Sequence, residues 1–293
     1  MPTDPAARRL GILVALLGML MFSLNDVMGK WLVATYSVGQ VLLLRSAAAL
    51  LVLAPILWRG RTRLWPLERP RLQALRVAAC TFEVYAFYYA VISLPLADVM
   101  TYWLAGPIYV AALSPWLLGE RVGPWRWGAI VAGFVGVVIA LRPGAEAWSP
   151  AIVVSLAGSL AFAFMIVSAR MLRGTTDAAL VFWQTAGAGV AGLATAGAGW
   201  VTPSPGDAGL LALLGVVAMF AHMLIARSLK LADAASIAPL EYTLLVWAIV
   251  FGWLIFGDVP DRAILAGAAL IIAAGLVIWL RENRLRRPAR KPP

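Results

Sequence analysis

Apolar stretches of near-uniform length, parted by short polar breaks, run through the whole chain. About 20 residues at 1.5 Å each cross a hydrocarbon core of roughly 30 Å. Ten stretches of that size can be marked, at 10–31, 38–57, 72–93, 96–118, 123–141, 150–169, 178–199, 207–230, 234–256 and 262–280. The breaks at 59–70, 93–95, 119–124, 142–150, 174–177, 202–207 and 257–261 carry Gly, Pro, Thr and Asp, the residues that stop helices, and none is long enough for a soluble domain. The first stretch lacks a small-residue cleavage site and continues through Asn25-Asp26-Val27-Met28-Gly29-Lys30-Trp31, which predicts a retained span rather than a signal peptide.

Composition agrees with this pattern. Hydrophobic residues make up 62% of the chain and charged residues 13%, against roughly 45–50% and 25% in soluble domains. The expected class is an all-α polytopic membrane protein whose surroundings are the lipid bilayer. The net charge of +10 does not point to nucleic acid, because the cations sit in short blocks between apolar stretches. Twenty Lys and Arg side chains fall on the side shared by the N-terminus and every second loop; Lys30, Arg142 and Arg262 fall on the other, and Arg45 lies inside span 2. The positive-inside rule then places both termini in the cytoplasm, and the clean alternation supports ten spans. A bacterial-type inner (plasma) membrane is the expected location. The chain has one cysteine, Cys80, and one histidine, His222, so neither a disulfide framework nor a Cys/His metal cluster is expected. No cofactor motif stands out, and the GxxxxGK[ST] phosphate loop needed for direct ATP drive is missing.

Internal similarity divides the spans into two groups of five. Leu16-Leu17-Gly18 with Phe22 and Lys30 matches Leu156-Ala157-Gly158 with Phe162 and Arg170 at an offset of 140. Gly128, Gly136, Leu141 and Arg142 match Gly267, Gly275, Leu280 and Arg281 at 139, and Gly119-Glu120 matches Gly257-Asp258 at 138. Because each copy has an odd number of spans, the second must enter from the opposite side, giving ten transmembrane helices as two inverted repeats. The expected organisation is a cytoplasmic lead at 1–9, a first repeat at 10–141, a linker at 142–149, a second repeat at 150–281 and a basic cytoplasmic tail at 282–293.

Arg45 within span 2, the run from Pro107 to Gly119-Glu120 closing span 4, its counterpart from Pro239-Leu240-Glu241 to Gly257-Asp258 closing span 9, and the glycine-spaced spans 5 and 10 resemble the drug/metabolite transporter superfamily, EamA type. The resemblance covers almost the whole chain. The aromatic content of the spans is most similar to YddG-type exporters of aromatic and hydrophobic amino acids. The second half departs from the family pattern in carrying Asp258 where Glu is usual and Tyr242 where Pro often follows Glu241.

Polar residues inside apolar spans mark the candidate site, since an ionisable group there costs about 2.5–3.5 kcal/mol on insertion scales unless it faces protein or water. Glu83 in span 3 and Glu241 in span 9 are such carboxylates, one per half. Tyr102 and Trp103 precede Pro107, which removes a backbone donor and bends span 4; Tyr242 holds the corresponding place after Pro239. With Asn25 these six residues form the expected substrate-binding set. Asp26 and Lys30, four apart on one face, read equally as an ion pair or as substrate contacts. Arg45 reads as a snorkelling or paired cation, His222 as a proton carrier or a packed bundle residue, and Trp183 and Gln184 as further candidates. Gly128, Gly133, Gly136, Gly187, Gly189, Gly192, Gly267 and Gly275 predict close helix contact, within the bundle or in a homodimer.

The expected function is a secondary carrier for a small-molecule substrate, not an enzyme, working by alternating access. The resemblance implies export of small amphipathic metabolites, foremost aromatic and hydrophobic amino acids. A carrier of anionic metabolites or nucleotide sugars, or a drug/metabolite efflux protein, is the alternative, and the anionic reading calls for several cationic cavity residues where Lys30 and Arg45 qualify. An intramembrane hydrolase would need a nucleophile beside a base, for which Ser159 and His222 are the nearest offering.

Overall fold

A computed structural model describes residues 5–117, 124–141, 149–172, 174–231 and 238–286. The Gly119-Glu120 motif, residues 142–148 of the linker, the start of the lead and the end of the tail lie outside the described residues. Among the described residues the architecture is all helical. The elements are α1 (Pro5–Val33), α2 (Val38–Arg59), α3 (Pro70–Ser93), α4 (Leu96–Trp103), α5 (Gly106–Leu117), α6 (Pro124–Leu141), α7 (Pro150–Met171), α8 (Asp177–Thr195), α9 (Pro205–Leu231), a 3-10 turn (Ala238–Tyr242), α10 (Thr243–Phe251), a π turn (Gly252–Phe256) and α11 (Arg262–Arg286). Six of them, α1, α2, α3, α7, α8 and α9, are long and apolar enough to cross a membrane, and shorter apolar helices occupy Trp127–Ala140, Leu240–Phe256 and Arg262–Val277. The chain is a multi-pass membrane protein.

Local chemistry sets the helix ends. Prolines open α3, α6, α7 and α9, where the missing N–H would have had no partner. Ser37, Ser149 and Thr176 accept from Gln40 N, Ile152 N and Ala179 N, each at 3.3 Å. Asp261 caps α11 by accepting from Ala263 N at 2.8 Å and Ile264 N at 3.0 Å. The π turn ends at Gly257, whose φ of 71° suits a residue without a Cβ. Exposed tryptophans mark the bundle's two ends: Trp58, Trp65, Trp116 and Trp125 near the end holding the α1 N-terminus, Trp31, Trp200 and Trp253 near the far end. That placement matches the aromatic belts of two membrane interfaces.

The packing is two-fold symmetric in pattern. α2 packs on α8 and α6 on α11; α1 packs on α9 as α7 packs on α3, and α1 meets α10 as α7 meets α5. Exchanging the N-terminal and C-terminal parts of the chain maps these contacts onto one another. Small residues permit the closest of these approaches. A Cβ on Gly136 would meet the Gly267 carbonyl oxygen at 2.9 Å, and one on Gly192 would meet the Gly39 carbonyl oxygen at 2.9 Å, whereas Gly128 has open space around it. Four of the glycines read as packing positions, Gly133, Gly187, Gly189 and Gly275, abut Ile108, Val77, Ser46 and Tyr242.

Candidate functional site

Two helices are interrupted at matching points. The ladder of α4 stops at Leu104–Ala105, because Pro107 has no N–H to offer the Trp103 carbonyl, and α5 resumes at Gly106. In the second half the 3-10 turn ending at Tyr242 gives way to α10 at Thr243, 138 residues after the α4–α5 break. Discontinuous helices near the midplane, one per repeat, are where transporters place their binding groups.

Between the halves lies a cavity of about 260 Å³, near the lower end of the range for small-molecule sites. From α1 it is lined by Phe22, Asn25 and Asp26; from α2 by Arg45, Ser46 and Ala49; from α3 by Cys80, Glu83, Phe87 and Tyr88; and from α4 by Met100 and Trp103. The second half supplies Phe162, Met165, Gln184, Thr185, Ala188, His222 and Glu241 among others. Several lining residues stand at the offset of the internal similarity: Phe22 and Phe162 are 140 apart, and Ser46 with Thr185 and Ala49 with Ala188 are 139 apart. The chemistry at other matched positions differs, so a symmetric frame holds an asymmetric site.

Trp103 fixes Glu83 by donating its indole N–H to Oε1 at 3.1 Å. Its ring stands edge-on to Phe87, centroids 5.5 Å apart, and a Cβ at Gly158 would meet Trp103 Cη2 at 2.7 Å, so glycine there gives the indole room. Asn25 Nδ2 donates to Asp26 Oδ1 at 3.2 Å. Arg45 donates to the Tyr88 hydroxyl, with its guanidinium 5.5 Å from that ring's centroid. His222 Nδ1 lies 2.8 Å from the Ala218 carbonyl oxygen; a carbonyl only accepts, so that nitrogen carries the proton and Nε2 carries the lone pair when the ring is neutral. Phe22 meets the same imidazole edge to face at 4.8 Å. The site therefore presents three carboxylates, Asp26, Glu83 and Glu241, beside one guanidinium, Arg45, with Trp103, Phe22, Phe87 and Phe162 as apolar and ring surface.

Other expected contacts fall elsewhere. Tyr102, one residue from Trp103 and so about 100° around the helix, packs with Ala140 and Ile264, away from the cavity. Tyr242 is turned onto Gly275 of α11, where any side chain would collide with its ring. Lys30 pairs not with Asp26 but with Asp258, Nζ to Oδ2 at 2.7 Å, beside the Phe256 ring at 4.6 Å. It also donates to the Leu94 carbonyl at 3.4 Å. Arg45 faces the cavity and binds the Tyr88 hydroxyl, and no described carboxylate forms a salt bridge with it. Arg76, counted above among the loop cations, is buried one and a half turns into α3 and binds Gln184 Oε1 at 3.1 Å. The signal was in the spacing: Gln73, Arg76, Cys80, Glu83 and Phe87 alternate by three and four on one helix face.

At the far end the halves are tied together. Besides Lys30–Asp258, the Tyr36 hydroxyl donates to Asp207 Oδ2 at 2.6 Å, and Gln40 exchanges two hydrogen bonds with the Val201 backbone at 2.6 and 3.1 Å. The hydrogen bond to Asp207 holds the Tyr36 phenol above its ordinary pKa.

A helical membrane bundle with paired broken helices around a largely apolar, ring-lined cavity that holds a few charged groups is the architecture of a transporter of small metabolites. The chain belongs to the EamA-like transporter family, whose model matches it twice, at residues 9–142 and 149–280. It is 27% identical over 94% of its length to an S-adenosylmethionine uptake transporter of Rickettsia prowazekii, covering 94% of that protein. A riboflavin transporter of Rhizobium johnstonii is 28% identical, over 98% of this chain and 96% of its own. The pseudopaline exporter CntI of Pseudomonas aeruginosa is 26% identical, over 92% and 95%. A solved crystal structure shares the fold at a TM-score of 0.66 and 17% identity, covering 94% of this chain and 98% of its own.

Proposed function

We propose that the protein is a secondary carrier of small metabolites that join a cation to a ring or other apolar body, with aromatic and hydrophobic amino acids and S-adenosylmethionine as members of that class. The observation that carries this reading is the excess of acid in the cavity, three carboxylates against Arg45, around the Trp103 indole. Carboxylates and ring faces both attract ammonium or sulfonium groups, and a buried charge is stable only when answered. A carrier of anionic sugars would be lined with the reverse charge. Lys30, one of the two cations that the anionic reading called for, is engaged with Asp258. Ser159 donates to the Leu156 carbonyl at 2.9 Å and is no part of the cavity wall, which favours carriage over hydrolysis.

The proposed topology is ten crossings in two inverted five-span halves, 10–141 and 150–281, with both termini cytoplasmic in a bacterial-type inner membrane. The double family match and the exchange-symmetric packing support it. Alternating access then works by loosening and remaking the far-end ties. Lys30→Met, Asp258→Asn and the double variant should show a coupling of about 0.5–3 kcal/mol in a thermal-unfolding cycle; strict additivity would remove this contact as a tie.

Export is the direction implied by the resemblance, and relatives named for uptake and for export both exist. Proteoliposome flux of tryptophan, phenylalanine, S-adenosylmethionine, riboflavin and a sugar nucleotide, measured in both directions, tests the reading. Cationic and zwitterionic ring compounds should be carried and the sugar nucleotide refused; the opposite order would overturn it. Trp103→Ala should weaken affinity about two- to thirtyfold with folding intact, the range for a cation over an aromatic face.

A further inference from the structure

Arg76 is 5% exposed, yet among the described residues its guanidinium makes one hydrogen bond, from Nη2 to Gln184 Oε1 at 3.1 Å. Among the described residues Nε and Nη1 have no acceptor and no carboxylate forms an ion pair with the guanidinium. Gln73, one turn earlier on the same face and 3% exposed, has no partner among the described residues for either its amide oxygen or its amide nitrogen. Burying these groups in a membrane bundle with most of their donors open is costly, and mere packing of α3 on α8 would be served better by apolar side chains.

Arg76 and Gln73 lie behind the cavity wall, outside its lining, and the residues beside them form that wall. Gln184, the one partner of Arg76, lines the cavity, and so does Cys80, one turn further along α3, with Sγ 4.0 Å from the same Gln184 oxygen. The helices approach closely here because Gly187 abuts Val77. A permanently charged planar fork with free donors matches the two oxygens of a carboxylate. Glu83 lies seven residues beyond Arg76 on the same stripe, about 10 Å of helical rise.

We propose that Arg76, supported by Gln73 and Gln184, is an oxyanion subsite that takes the carboxylate of a zwitterionic substrate while Asp26 and Glu83 take its cation. The substrate class is thereby narrowed to ring-bearing zwitterions, a step that rests on the carrier reading above. This cationic pole explains how an acid-rich cavity accepts a molecule bearing a carboxylate.

The test uses the purified full chain in phosphatidylcholine nanodiscs and calorimetry with three probes sharing one ring: indole-3-propionate with a carboxylate alone, tryptamine with an ammonium alone, and tryptophan with both. Wild type should bind all three. Arg76→Gln should weaken indole-3-propionate at least about tenfold, as for loss of a hydrogen bond to a charged group, and leave tryptamine unchanged. Arg76→Lys, which keeps the charge and loses the fork, should fall between, and it serves the same comparison if the glutamine variant folds poorly. Unchanged indole-3-propionate binding in the variants, failure of wild type to bind it, or parallel loss of both single-charge probes overturns the subsite. Displacement of indole-3-propionate by phosphatidylglycerol added to the discs also overturns it, assigning the guanidinium to a lipid headgroup. Tryptamine binding that ignores Glu83→Gln tells against the cation-binding part of the carrier reading and leaves the carboxylate comparison standing by itself.

Discussion

Glu83→Gln should lower transport of cationic and zwitterionic substrates by about tenfold to a hundredfold at neutral pH, the range for removing a charged hydrogen-bonding partner. Glutamine preserves the shape and the carbonyl oxygen that accepts the Trp103 indole N–H at 3.1 Å, so the cavity wall stays as it is and only the charge leaves. The fold should survive, because no described cation forms an ion pair with Glu83; Lys30 pairs with Asp258 at the far end of the bundle. A carboxylate with a structural role would instead take stability away along with flux, since its partner would be left buried and unanswered. Yield, melting temperature and initial rates for tryptophan and S-adenosylmethionine separate the two outcomes. Wild-type rates in the glutamine variant would remove Glu83 from the site.

Gly215→Ala should be the most damaging single methyl in the bundle. A Cβ at Gly215 would run into the backbone of Arg45, carbonyl oxygen included. Backbone cannot rotate away as a flexible side chain can, so α9 must move off α2. Overpacking of this kind costs about 1–3 kcal/mol. It should also shift Arg45, and with it Tyr88, at the cavity wall, so transport falls together with the melting temperature. Gly128→Ala is the control: nothing lies within 4 Å of its Cβ position, and the change should stay within about 0.5 kcal/mol. Equal tolerance at both positions would mean that the α2–α9 contact is looser than described.

The helices were readable in the sequence because a membrane span must be long, apolar and punctuated. Span 2, marked at 38–57, is α2 at Val38–Arg59, and span 3, marked at 72–93, is α3 at Pro70–Ser93. The interruptions announced themselves through Pro107 and Pro239. Polarity inside an apolar run also pointed to Asn25, Glu83, Trp103 and Glu241, which the structure sets around one cavity. Facing was the harder question. Tyr102 and Trp103 are neighbours in sequence and diverge around the helix, and a span buried on every side offers no amphipathic stripe to say which of them looks inward. Glu241 and Tyr242 divide in the same way. Local spacing allows Lys30 either an ion pair with Asp26 or a substrate contact, whereas its partner Asp258 is 228 residues away and only the tertiary fold brings it near. Arg76 was masked by its company, as one arginine among several flanking span 3, and only its register with Cys80 and Glu83 sets it apart.

Cys80 reports on whether substrate occupies the cavity. It is the single cysteine of the chain and lines that cavity beside Glu83 and Gln184, so no engineered label is needed. In proteoliposomes, the rate at which a small methanethiosulfonate reagent modifies Cys80 is to be followed with and without a transported substrate. At a concentration ten times its Kd, a substrate seated in the cavity should slow modification about tenfold by simple occupancy. A rate unchanged by a saturating concentration of a substrate the same vesicles demonstrably carry would contradict the account, because the transported molecule would then pass by some other route.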